Sequence, residues 1–63
     1  MTENERKVLE YLKQPARGYT SPTKIGREVG GGGRHSAWAS PICKRLVSKG
    51  LATRNERGWY AAL

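Results

Sequence analysis

The apolar positions of the first fourteen residues recur at the spacing of one helical stripe. They are Val8, Leu9, Tyr11 and Leu12. Thr2 with Glu5 three residues later forms a capping box, in which each side chain satisfies a free amide at a helix start. The pattern predicts a first helix over about residues 3–14, ended by Pro15 and with a charged, solvated opposite face.

A hydroxyl cap followed by proline marks the start of a second helix. Ser21 is the cap, and the proline after it suits the first helical position because its φ is fixed and it has no amide. The predicted helix covers about residues 22–29 and contacts the core through Ile25 and Val29. Gly26 costs about 1 kcal/mol of helix propensity relative to alanine, so we expect another helix to approach closely there.

A third helix is predicted over about residues 36–49, closed by Gly50. Ser36 and Ser40 are the two candidate N-caps, and Ser36 is favoured. Pro41 removes one backbone hydrogen bond, so a bend or a tightened first turn is expected. The predicted core face consists of Ala39, Ile42, Cys43 and Leu46. The opposite face consists of Ala37, Ser40, Pro41, Lys44 and Ser48.

Four consecutive glycines, residues 30–33, separate the second and third helices. The simplest interpretation is a flexible loop. The alternative is a pliable turn whose bare backbone approaches a nucleic-acid phosphate. A P-loop is disfavoured because no Gly-Lys-Ser/Thr follows and no strand precedes the glycines.

After the third helix the pattern changes from helical to extended. Two short runs, residues 51–54 and 59–63, flank a turn ending in glycine, which predicts a β-hairpin with a bulge. Trp59 and Tyr60 alternate across the second run, so one of them faces the core. Residues 19–20 could add a very short third strand. The expected fold class is α+β, mainly α with a small C-terminal hairpin of two or three antiparallel strands.

Length and composition limit what this fold can do. A chain of 63 residues makes one small domain, which buries only about 60% of its unfolded surface. One cysteine and one histidine give neither a disulfide nor a zinc site of the usual spacing. We expect no metal, no cofactor and no small-molecule ligand. The acidic start and the lack of an apolar run near ~18 residues favour a cytoplasmic protein that does not bind membranes.

Positive charge is concentrated after the first helix. The formal net charge is +7. Residues 1–12 carry three acidic and two basic side chains, whereas ten basic and two acidic side chains follow from Lys13 onward. Such a surface attracts polyanions because each neutralised phosphate releases counterions. A nucleic-acid surface is therefore favoured over a merely solubilising one.

The order of these elements is similar to that of a winged helix-turn-helix domain. Residues 42–54, ICKRLVSKGLATR, resemble the MarR-like pattern that joins a recognition helix to the wing. The segment PTKIGREVG resembles the positioning helix before it. The chain departs from the pattern in its enlarged glycine turn, in Pro41, and in lacking the helices through which MarR-like regulators dimerise and bind ligands. The matching positions are Ile42, Leu46, Lys49, Gly50 and Leu51, with Arg54 entering the wing.

The resemblance implies a small transcriptional regulator of bacterial or phage type that binds double-stranded DNA sequence-specifically. The third helix would enter the major groove, the start of the second would hold a phosphate, and the wing would meet the adjacent backbone or minor groove. The expected DNA contacts are Ser21, Thr23, Lys24, Arg34, His35, Ser36, Ala37, Ser40, Lys44, Arg45, Arg54 and Arg57.

Several of these side chains also have a purely structural explanation. His35 is equally well explained as a polar loop residue. Trp38 is expected to cover the core edge rather than stack on a base, and Cys43 to be a small buried hydrophobe rather than a reactive thiol. Glu56 in the hairpin turn would repel phosphate, so it should point outward or pair with a neighbouring arginine.

Other functions compete with DNA binding. The same fold could present its basic surface to an acidic partner protein, and the charge also permits structured RNA, although no RNA-binding motif is present. A homodimer would be needed to recognise a palindrome, with the first helix and the wing edge as spare surfaces. An enzyme is not expected, because the acidic residues are few and separated along the chain.

Overall fold

The computed structural model of the protein describes residues 1–14, 18–30 and 35–63. Within them, three α-helices precede a two-stranded antiparallel hairpin, which makes a mainly helical α+β domain. Three predictions fall outside the described residues: the helix stop at Pro15, the turn at residues 31–33 and a DNA contact by Arg34. The elements are α1 (Glu3–Leu12), α2 (Pro22–Val29), α3 (His35–Ser48), β1 (Ala52–Arg54) and β2 (Tyr60–Ala62).

The first two helices begin at their predicted caps. Thr2 Oγ1 accepts a hydrogen bond of 3.1 Å from the Glu5 amide, and Glu5 Oε1 accepts one of 3.0 Å from the Thr2 amide. This reciprocal pair is the complete capping box. At the start of α2, Ser21 Oγ accepts from the Lys24 amide at 3.2 Å. α1 ends at Leu12, slightly before its predicted boundary, and α2 has its predicted bounds.

α3 begins at His35, so the predictions of Ser36 or Ser40 as its N-cap are wrong. Both serines lie inside the helix. The first turn has a tertiary partner instead, because the His35 backbone packs against Gly26 of α2. An N-cap is predicted from neighbouring residues in the sequence, and this prediction takes no account of tertiary contacts. The helix continues through Pro41.

Gly26 confirms the predicted close approach between helices. A β-carbon built there would lie 2.7 Å from the His35 Cα, which is closer than non-bonded carbon atoms pack. Trp38 covers the end of α2 similarly, since a β-carbon on Gly30 would lie 2.7 Å from its ring. Trp38 is partly buried against the core, as predicted.

α3 ends in a Schellman motif at the predicted glycine. The Leu51 amide donates to the Leu46 carbonyl, and the Gly50 amide donates to the Val47 carbonyl, each at 3.0 Å. Gly50 has a φ of 76°, a left-handed conformation that glycine adopts without a steric penalty. The motif turns the chain from the helix into the hairpin.

The core combines the predicted faces of α1 and α3 with one residue of α2 and one side of the hairpin. Tyr60 is the aromatic residue of β2 that faces the core, with 2% of its surface exposed, whereas Trp59 is 37% exposed. Burial raises the pKa of the Cys43 thiol to about 11, which agrees with a packing role. The core residues are Val8, Leu9, Tyr11, Leu12, Ile25, Ala39, Ile42, Cys43, Leu46, Ala52 and Tyr60.

The predicted hairpin and bulge are both present. Arg54 lies opposite Tyr60 in the antiparallel register. The Gly58 amide donates to the Asn55 carbonyl, and the Asn55 amide donates to the Trp59 carbonyl, each at 3.0 Å. With Gly58 at a φ of 81°, this is a tight turn followed by a glycine bulge.

A single-residue bridge replaces the predicted third strand. The Thr20 amide donates to the Tyr60 carbonyl at 2.8 Å, and the Tyr60 amide donates to the Thr20 carbonyl at 2.9 Å. Because Thr20 directly precedes the cap of α2, the bridge fastens the start of that helix to the hairpin.

Candidate nucleic-acid interface

The exposed side of α3 and the hairpin enclose a basic groove of about 330 Å³. Lys44 and Ser48 lie one turn apart on α3, and Arg54 reaches the groove from the end of β1. Val47 and Tyr60 complete its lining and add apolar surface. We call this site the α3–hairpin groove. It brings together two predicted DNA contacts, Lys44 and Arg54, from different elements.

The earlier turns of α3 extend the same surface. Ser36 and Ser40 precede Lys44 at four-residue intervals, which places them on one stripe of the helix. Ser36 and Ala37 are exposed, whereas Ser40 is half-buried. His35 is also half-buried, and its Nδ1 atom is buried with no hydrogen-bond partner among the described residues. Ser36, Ala37 and Ser40 are thus small side chains that precede Lys44 on α3.

Arg45 is directed toward α1 and does not line the α3–hairpin groove. Its Nε atom donates to Glu5 Oε2 at 2.7 Å, and Lys49 Nζ donates to Glu5 Oε1 at 2.9 Å. The Arg45 side chain remains 53% exposed. Its DNA contact stays a prediction, but its charge is partly balanced within the protein, unlike that of Lys44.

Glu5 is the buried centre of this cluster, with only 2% of its side chain exposed. The expectation that all charged residues of α1 are solvated is therefore wrong at this position. Hydrogen bonds from Lys49, the Thr2 amide and Arg45 lower the pKa of Glu5 to about 2. They favour the ionised carboxylate more than burial disfavours it.

The start of α2 forms the second part of the candidate interface. Ser21 is half-buried, and its hydroxyl accepts the capping bond while retaining its own hydrogen for donation. Thr23 and Lys24 are exposed in the first turn. A helix N-terminus carries partial positive charge, which adds to that of Lys24. The Thr20–Tyr60 bridge fastens this turn to the hairpin.

The tip of the hairpin holds two arginine side chains against neighbouring groups. The Arg57 guanidinium lies over the Trp59 ring, with Cζ 5.6 Å from the ring centroid. The Arg54 guanidinium lies beside Gly58, where a built β-carbon would be 3.3 Å from Nη2. Glu56 is exposed in the same turn, in agreement with its outward prediction.

Sequence reasoning missed part of this arrangement. The alternation of Trp59 and Tyr60 leaves open which of them faces the core, and no pattern in the sequence predicts that Tyr60 and Val47 line a groove. The pairing of Glu5 with Lys49 joins residues 44 positions apart, so no local motif reports it. The available signal was the four-residue spacing of Arg45 and Lys49, which places two cations on one stripe of α3.

The described segments contain no group of three or more His, Cys, Asp or Glu residues arranged to hold a metal ion. Across residues 1–14, 18–30 and 35–63, no helix has both the length and the apolar character needed to cross a bilayer.

Comparison of the chain with protein-family models, curated proteins and solved structures found no match. The structure itself defines the class of the protein, which is a small, mainly helical α+β domain with a two-stranded hairpin.

Proposed function

We propose that the protein is a winged helix-turn-helix domain that binds double-stranded DNA, with α3 as the recognition helix and the hairpin as the wing. The observation that carries the proposal is the α3–hairpin groove, in which Lys44 and Arg54 line one surface. A duplex presents phosphates on both sides of its major groove. A helix inserted there, with a cationic hairpin beside it, can contact base edges and backbone together.

The side chains along α3 suit this placement. Ser36 and Ser40 are small hydrogen-bonding residues that can approach either type of base pair. Lys44 follows on the same stripe and can contact a base edge or a flanking phosphate. Arg54 and Arg57 extend toward the adjacent backbone or minor groove. Sequence preference would come from the helix, and much of the affinity from the arginines and lysines.

The proposed surface carries four cations that are available to bind phosphates. Lys24, Lys44, Arg54 and Arg57 are exposed, and the ion pairs found in the described segments involve none of them. Each cation that neutralises a phosphate contributes about −0.9 to the dependence of log affinity on log salt. The proposed interface therefore predicts steeply salt-dependent binding.

In this proposal the protein is a small transcriptional regulator that acts on DNA in the cytoplasm, without enzymatic activity or a cofactor. Recognition of a symmetric operator would require a homodimer. Among the described residues, α1 and the edge of β1 that does not pair with β2 would be available for that contact while the groove holds DNA.

The test is a salt titration of duplex binding by fluorescence anisotropy, carried out separately on several duplexes of different sequence. Lys44→Gln and Arg54→Gln should each weaken binding and reduce the salt slope by about 1. Lys7→Gln, on the exposed side of α1, is the matched control and should retain wild-type binding.

Two results would overturn the proposal. One is the absence of duplex binding at low salt. The other is duplex binding that Lys44→Gln and Arg54→Gln leave unchanged, which would instead favour an acidic partner protein for the groove. Equal affinity for every duplex would remove the sequence-specific part of the proposal.

A further inference from the structure

We infer that Trp59 is a positioning residue, which acts on DNA through Arg57 by holding the guanidinium group in place. The inference rests on the DNA-binding function proposed above. It assigns a role to an exposed aromatic residue that neither the core nor the α3–hairpin groove uses.

The first observation is the contact itself. Trp59 is 37% exposed and directly precedes β2, next to the buried Tyr60. The Cζ atom of Arg57 lies 5.6 Å from the centroid of the Trp59 ring, within the range of about 6 Å for a cation–π interaction. The partner of the Trp59 ring is therefore the Arg57 guanidinium and not the hydrophobic core.

The second observation is the turn that joins the two residues. Asn55 Oδ1 accepts hydrogen bonds from both the Arg57 amide and the Trp59 amide, each at 3.0 Å. Gly58 lies between them at a φ of 81°. One side-chain oxygen thus fixes both backbone positions. The backbone atoms from which the guanidinium and the indole extend are therefore held at a defined distance from each other. Asn55 is the second positioning residue of the hairpin tip.

Such a contact leaves the guanidinium able to bind an anion. Arginine stacks on aromatic rings through the face of its planar group, while its N–H donors point outward in the plane of that group. These donors can pair with phosphate oxygens or insert into a minor groove. An arginine already held by a ring loses less conformational freedom when it binds, which improves affinity without a new contact.

A double-mutant cycle tests the inference on duplex binding. Trp59→Leu should weaken affinity by about two- to fivefold, the range for an exposed cation–π contact. Trp59→Phe should weaken it less, because the ring remains. In the Arg57→Gln background, Trp59→Leu should have no further effect. Tyr19→Leu is the matched control, since Tyr19 is also an exposed aromatic residue, and it should bind as wild type.

Two outcomes in this cycle would overturn the inference. If Trp59→Leu weakens binding equally in the wild-type and Arg57→Gln backgrounds, Trp59 contacts DNA directly, as a stacking residue would. If Trp59→Leu has no effect in the wild-type background, the ring does not position the arginine. Circular dichroism and thermal unfolding of each variant check that the domain is folded.

A second measurement separates this inference from the proposed function. In the free protein, the ¹⁵Nε order parameter of Arg57 should fall in Trp59→Leu and in Asn55→Ala, with that of Arg54 less affected by Trp59→Leu. An unchanged order parameter would overturn the positioning role even if DNA binding is confirmed. Loss of order in a protein that binds no duplex would support the arginine contact and refute its use on DNA.

Discussion

The Nε atom of Arg45 donates a hydrogen bond of 2.7 Å to Oε2 of Glu5, which connects the later part of α3 to the first turn of α1. The other oxygen, Oε1, accepts from both Lys49 Nζ and the Thr2 amide. Glu5 therefore caps its own helix and holds a second helix against it. The same carboxylate withdraws two cations from the positive surface, so the surface charge is less uniform than the net charge suggests.

The first prediction concerns acid stability. The pKa of Glu5 is lowered in the folded protein, from 4.5 to about 2. Ionised Glu5 thus stabilises the fold above about pH 4.5, and this contribution is lost as the pH falls toward 2. Glu5→Gln should lower the thermal midpoint at pH 7 and flatten its decline over this acid range, as measured by circular dichroism.

Glutamine is the appropriate replacement because it can still complete the capping box. The control is Glu3→Gln, which removes the carboxylate of an exposed pair with Arg6. That variant should retain the acid response of the wild type. A Glu5→Gln protein whose midpoint declines as steeply as the wild type would contradict a native-state role for the Glu5 charge.

The second prediction separates two adjacent cations of α3. Lys44→Gln should weaken duplex binding and leave the thermal midpoint near that of the wild type, because Lys44 is exposed in the groove. Arg45→Gln should lower the thermal midpoint and change duplex affinity less, since it removes a partner from buried Glu5. Measuring anisotropy and thermal unfolding on both variants gives the comparison, and the reverse order of effects would contradict it.

The third prediction concerns the contact between α2 and α3. Gly26→Ala should lower the free energy of unfolding by about 1–3 kcal/mol, because the added methyl group would overlap the His35 backbone. Alanine favours a helix by about 1 kcal/mol relative to glycine, so an isolated helix would show the opposite sign. Urea unfolding measures the difference.

Glu28→Ala is the matched control for this position, since Glu28 is exposed on the same helix. It should change stability by no more than about 0.5 kcal/mol. If Gly26→Ala were as stable as the wild type, α2 and α3 would have to tolerate a wider separation than the structure shows.

The sequence predicts the elements whose signals are local. Thr2 and Ser21 identify two helix starts, Gly50 identifies a helix end, and the glycine after the hairpin turn identifies the bulge. In each case, the residue that gives the signal makes the stabilising contact itself. These positions therefore required no knowledge of the tertiary fold.

The start of α3 and the partners of Glu5 could not be predicted without the tertiary fold. The first turn of α3 packs on Gly26 rather than depending on either predicted serine cap. Glu5 meets Arg45 and Lys49 only after the helices have packed. Sequence spacing identifies which side chains share a helix face, but not which distant element that face meets.

The Thr20–Tyr60 bridge makes the hairpin and the first turn of α2 one mechanical unit. Two backbone hydrogen bonds, of 2.8 and 2.9 Å, connect the first residue of β2 to Thr20, the residue before the α2 cap. If the hairpin and the start of α2 both contact one duplex, the distance between these two contacts is already fixed in the free protein. A duplex with altered groove width would then lose contacts at one end while keeping those at the other.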